Sequence, residues 1–167
     1  GDGWQAVELP YAGGALAMLV LLPGEGDLAT AESELAGGLL DRAAGALTPT
    51  DVVLELPKWD IETRVELSTI LAALGMPTAF TDRADFTGMT TAEPLQIGFV
   101  IHQANITVDE AGTEAAAATA VGIETTAAPG PEPEPIVVTV DRPFLYALRD
   151  RETGAVLFLG RVTSPAE

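Results

Sequence analysis

Few residues in this chain could do chemistry. Among 167 residues there is one histidine, His102, a single lysine, Lys58, and no cysteine. The missing cysteine excludes a thiol nucleophile, a disulfide scaffold and a cysteine zinc site, and one histidine cannot build a multi-histidine metal centre. No Ser–His–acid arrangement is supported around His102, so a catalytic role for it has no basis. The neighbouring carboxylates Asp109 and Glu110 could be read as an acid–base pair. Adjacent residues on a strand point to opposite faces, which argues against a shared site. No metal and no cofactor is expected.

What remains is a stretch defined by small side chains, VDEAGTEAAAATAVGIETTAAP, from Val108 to Pro129. Two readings of it stand side by side. Thr113 could cap a helix, Glu114 suits its positive end, and alanines follow. As an extended strand, Thr113, Ala115, Ala117, Thr119, Val121 and Ile123 would form a face that can be buried. Glu114, Ala116, Ala118, Ala120, Gly122 and Glu124 would form the other. No proline interrupts the run before Pro129, so every residue from Gly112 to Ala128 can donate to a ladder.

The elements that must position this stretch read as follows. Residues 6–10 and 15–23 form a hairpin around YAGG, and the second strand has the near-continuous apolar run of one buried on both faces. Residues 27–47 have helical spacing, split by Gly37–Gly38. Residues 51–67 return to strand character, interrupted at Pro57, and 65–76 form an amphipathic helix ended by Gly75 and Pro77. Residues 95–110 alternate as a long strand, with Phe99, Ile101 and Gln103 on one face and Val100, His102 and Ala104 on the other. Three strands close the chain, the last two flanking a turn at RETG. PGPEPEP, 129–135, is an extended spacer. Trp59 and Phe144 are expected in the core. The class is α+β with strands predominant, and the length suits one domain.

The formal charge of −17 argues against nucleic acid, since only eight Lys and Arg could neutralise phosphates, and against an anionic membrane surface. The sequence starts at Gly1 and enters strand pattern at once, so it is expected to begin inside a longer chain.

Several segments resemble the serpin family of serine protease inhibitors: LPKWDIET at 56–63, ELSTILAALGMPTAFTDRADFTGM at 66–89, VIHQANITVDEAGTEAAAATA at 100–120 and DRPFLYALRDRETGAVLFLGRVTSP at 141–165. The resemblance runs from about Trp4 to Pro165. It implies a serpin fold, with residues 1–167 as the C-terminal part of one domain and a reactive-centre loop over about 111–135. The implied partners are a target serine protease, held as a covalent acyl complex, and the missing N-terminal part of the serpin.

The family's mechanism is that of a suicide substrate. A protease cleaves the loop, the freed hinge inserts into a sheet as a new strand, and the tethered acyl-protease is trapped. Carried onto this sequence, Gly112 is the pivot, and the hinge spans Glu110, Gly112, Thr113, Glu114, Ala115, Ala116, Ala117, Ala118, Thr119 and Ala120. The reactive bond falls fourteen residues beyond Gly112, at Thr126–Ala127 or within one or two bonds of it. Lys58 pairs with Glu110, and His102 lies where the sheet opens. An elastase-like or subtilisin-like target is implied. No Lys or Arg lies between Arg83 and Arg142, which disfavours a trypsin-like one. Cleavage after Glu124 by a Glu-specific protease is a further option. The alternatives are a non-inhibitory carrier or chaperone-like relative, or an inactive fragment. The family implies an extracellular location, with the cytoplasm as alternative.

Overall fold

The computed structural model describes residues 3–109 and 134–165. The expected hinge from Glu110 to Ala120 and the expected bond at Thr126–Ala127 lie outside the described residues. The chain divides into two units, 1–59 with 108–167, and 60–107.

The larger unit is built on a four-stranded antiparallel sheet in the order β1 (Trp4–Pro10), β2 (Leu16–Pro23), β7 (Phe144–Asp150), β8 (Val156–Val162). β1 (Trp4–Pro10) and β2 (Leu16–Pro23) form the expected hairpin. Its turn needs Gly13 and Gly14, whose φ values of 86° and 71° disfavour a side chain. From Ala17 to Pro23 every β2 residue is buried, as the apolar run requires of a strand covered on both faces. On one face Leu19, Leu21 and Leu145 pack against Ala31, Leu39 and Ala43. Those three come from α1 (Leu28–Glu34) and α2 (Leu39–Gly45). The helical stretch is indeed split at the glycine pair: a 3-10 turn ends at Gly37, and Gly38 takes φ 81°.

β7 (Phe144–Asp150) sends alternate residues to the opposite face, where Trp59 waits. Trp59 meets Phe144 edge-on, with ring centroids 5.3 Å apart and planes at 69°, and lies tilted on Tyr146 at the same separation. Such pairs contribute ~0.5–1.5 kcal/mol beyond area burial. Trp59 and Phe144 are both buried, as expected of core aromatics. β8 (Val156–Val162) pairs with β7 across the RETG turn. Glu8 ties the two hairpins together, accepting from Arg149 at 3.2 Å and from Arg151 at 2.9 Å. Finally, β3 (Val52–Glu55) and β6 (Ile136–Thr139) pair in parallel.

Asp150 organises the turn between β7 and β8. Its Oδ1 accepts from the Thr153 N–H at 2.7 Å, the Thr153 hydroxyl at 2.8 Å and the Glu152 N–H at 3.1 Å. The Thr153 backbone bond foremost, then its hydroxyl, holds the carboxyl below its ordinary value of 3.8. A carboxylate with a depressed folded value stabilises the fold above its unfolded value, and that contribution is lost as pH falls through the folded one. Thr153→Val is expected to raise the Asp150 pKa part of the way, because the backbone donors remain. An NMR titration of the Asp150 carboxyl checks it, and an unchanged midpoint would assign the depression to the backbone alone.

The smaller unit holds most of β4 (Trp59–Glu66) and β5 (Ile101–Val108), which pair as two strands, and α3 (Ser68–Ala73). The Thr107 hydroxyl donates to Asp60, and the Leu67 N–H donates to Val100 O at 2.8 Å. Two elements are shorter than their sequence pattern. The helix expected over 65–76 is confined to Ser68–Ala73, because Glu66 completes β4 and Leu67 is committed to Val100. The strand expected over 95–110 has its ladder only from Ile101. Ahead of it the Ile97 N–H turns to Ala79 O at 2.9 Å, and Phe99 is 71% exposed.

Candidate functional site

The segment 110–133, where the hinge and the reactive bond are expected, is flanked on both sides by described structure. Upstream, β5 ends at Val108, followed by Asp109. Val108, Asp109 and Lys58 share the wall of a cavity of about 270 Å³ with Leu9, Leu54 and Leu56. Lys58 is set there by its neighbours in the chain. Pro57 lacks an N–H and interrupts the run between β3 and β4, and Trp59 is wedged against β7. Lys58 and the residue ahead of Glu110 are therefore brought to one cavity. The expected Lys58–Glu110 pair itself falls outside the described residues.

Downstream, β6 takes up the chain and its register is fixed by several bonds. The Ile136 N–H donates to Asp51 O at 2.9 Å and the Val140 N–H to Glu55 O at 2.8 Å. The Thr139 hydroxyl donates to the Glu55 carboxylate at 2.8 Å. Beyond it the Arg142 Nε donates to Pro23 O at 2.9 Å. The described residue on each side of the segment thus adjoins a strand ladder, β4–β5 upstream and β3–β6 downstream.

His102 sits on β5 and is exposed, and among the described residues no acid or nucleophile is bonded to it. Among the described residues no three His, Asp or Glu side chains converge as metal ligands. No helix among them is long and apolar enough to cross a membrane. What the described flanks can do chemically is hold the two ends of a peptide.

A second cavity, about 720 Å³, opens in the larger unit beside the C-terminal end of α2. Val7, Leu47 and Val52 give it apolar walls, and Glu8, Arg149 and Arg151 give it charge. Sequence reading did not anticipate it, because its walls come from three separate stretches of chain, 6–10, 41–52 and 149–151.

Residues 1–165 match the family model described as Serpin (serine protease inhibitor). The chain is 42% identical over 166 residues to an uncharacterized serpin-like protein of Thermococcus kodakarensis, covering 99% of this chain and 38% of that protein. It is 40% identical to Serpin A3-5 of Bos taurus, with the same coverage. Among solved structures, human thyroxine-binding globulin complexed with thyroxine superposes with a TM-score of 0.79 at 28% identity, over 99% of this chain and 42% of that one. Uncleaved ovalbumin gives 0.78 at 29% identity, over 98% and 40%. The chain therefore spans about two fifths of the length of the relatives it matches, and its mixed sheets and short helices are those of their fold.

Proposed function

Because the chain belongs to the serpin family, we propose that it forms the C-terminal part, 1–167, of a single-domain inhibitor that traps a serine protease as a suicide substrate. The protease's serine oxygen attacks the Thr126 carbonyl, the Ala127 amine leaves, and an acyl-enzyme forms. Gly112 then pivots and Thr113 to Ala120 enter a sheet as a strand. The attached protease is displaced and deacylation stalls; loss of its oxyanion hole alone slows hydrolysis by ~10²–10³-fold. The observation that carries this reading is the run from Gly112 to Ala120, small residues apart from Glu114, which follows the end of β5 in the sequence. Residues of that size join a sheet without overpacking it.

The uncharged residue at Thr126 favours an elastase-like or subtilisin-like target, secreted as the inhibitor would be. Lys58 pairing with Glu110 fixes the base of the hinge, and His102 serves the region where the sheet parts. The remaining polypeptide of the full-length protein is the second partner. Val156, Leu157, Phe158 and Leu159 of β8 are 45%, 53%, 41% and 48% exposed, an apolar run on both faces that suits coverage by another segment.

A second reading is a carrier. It is favoured by the cavity beside α2, whose size suits a small ligand, and by the likeness to thyroxine-binding globulin. Incubating the full-length protein with an elastase-like protease separates the two. An SDS-stable complex whose released peptide begins at Ala127 is the expected result. Cleavage at that bond with full turnover and no complex would overturn inhibition and leave the carrier reading.

A further inference from the structure

Asn105 is the only asparagine in the 167 residues, and it is followed by Ile106 and Thr107. Asn-X-Thr with X other than proline is the acceptor triplet for N-linked oligosaccharide. Composition makes the coincidence informative: a chain that uses asparagine nowhere else keeps one in this triplet.

The structure gives the residue no other task. It lies in the middle of β5, a position asparagine disfavours. Its two neighbours on the same face are both engaged across the strands, Gln103 with the Glu62 carboxylate at 2.5 Å and Thr107 with Asp60 at 3.0 Å. The Asn105 carboxamide makes no hydrogen bond among the described residues and is exposed, while Ala104, Ile106 and Val108 are half-buried. An attached glycan would leave the exposed face of the strand without disturbing the ladder, whose bonds lie in the plane of the sheet.

We propose that Asn105 is an N-glycosylation site of the secreted protein. The Asn105 Nδ2 bonds to the anomeric carbon of an oligosaccharide carried on a polyprenyl phosphate or pyrophosphate. The C–O bond to the carrier breaks, the carrier leaves with the electron pair, and the amide gives up one proton. No redox partner is needed. The inference is independent of the inhibitory reading and needs only that the protein be exported.

The test is expression of the full-length protein in a secreting host with an oligosaccharyltransferase, followed by peptide-N-glycosidase in heavy-oxygen water and mass spectrometry. The expected result is conversion of Asn105 to a labelled aspartate, assigned without ambiguity in its peptide. Asn105→Gln and Thr107→Val should each abolish the label, and Thr107→Ser should retain it, which separates loss of the acceptor from loss of folding. Secreted wild-type protein with an unlabelled Asn105 peptide would overturn the proposal, as would a label that survives Thr107→Val.

Discussion

Under the proposed inhibitory mechanism, arginine in place of Ala117 is expected to convert the full-length protein from an inhibitor into a substrate. Ala117 belongs to the alternating set, with Thr113, Ala115 and Thr119, that would turn inward if residues 113–120 became a strand. Insertion adds roughly a dozen ladder bonds at ~1 kcal/mol net each, so the driving force is on the order of 10 kcal/mol. An unpaired buried cation costs several kcal/mol. Insertion would remain downhill, but it competes with deacylation in time. If ~3 kcal/mol of that cost is felt at the insertion barrier, insertion slows about 100-fold and hydrolysis wins. The readout is the number of inhibitor molecules consumed per protease trapped, which should rise steeply as the SDS-stable complex fades. Ala118→Arg is the control. It lies on the alternate face with Glu114 and Glu124, where a charged side chain can stay in water, and it should trap nearly as well as the parent sequence. Equal behaviour of the two variants would remove the strand register from the mechanism, and with it the reason for the small residues.

The parts of the fold that were legible in the sequence are those governed by local rules. β2 declared itself by an unbroken apolar run, because a strand covered on both faces has no polar side to show. The helix break at Gly37–Gly38 and the turn at RETG followed from positive φ at Gly38 and Gly154, which glycine supplies without strain. What was not legible depends on partners distant in sequence. The alternation of residues 95–100 is that of a strand, yet a ladder exists only where β4 runs opposite, and β4 stops at Glu66. The parallel pairing of Val52–Glu55 with Ile136–Thr139 joins stretches far apart in the chain, and parallel pairing leaves no turn signal to announce it. Of the candidate site, the expected hinge and bond rest on the family resemblance and lie outside the described residues, and the structure adds the two flanks and the convergence of Lys58 with Asp109 on one cavity. Asn105 carries no signal of that kind, since its amide is neither a nucleophile, a base nor a common metal ligand.

The contact between Gly160 and Tyr146 offers the sharpest test of the packing beneath the site. The two residues face each other across β7 and β8. A Cβ at Gly160 would meet the Tyr146 Oη, Cζ and Cε1 closer than atoms can approach. The ring has no free retreat, because its other side lies against Trp59, which in turn meets Phe144. Gly160 does not need a left-handed backbone, so alanine there introduces steric conflict without backbone strain. Gly160→Ala should therefore destabilise the full-length protein by ~1–3 kcal/mol, read as a lower denaturation midpoint with an unchanged slope. The sign should reverse when the ring is removed. In a Tyr146→Leu background the same substitution should be neutral or stabilising by ~0.5–1 kcal/mol, since alanine restricts the unfolded chain more than glycine does. The coupling energy from the four proteins measures the contact itself. Additive effects would mean that Tyr146 yields freely. The aromatic wedge at Trp59 would then be too soft to fix Lys58 in the cavity it shares with Asp109.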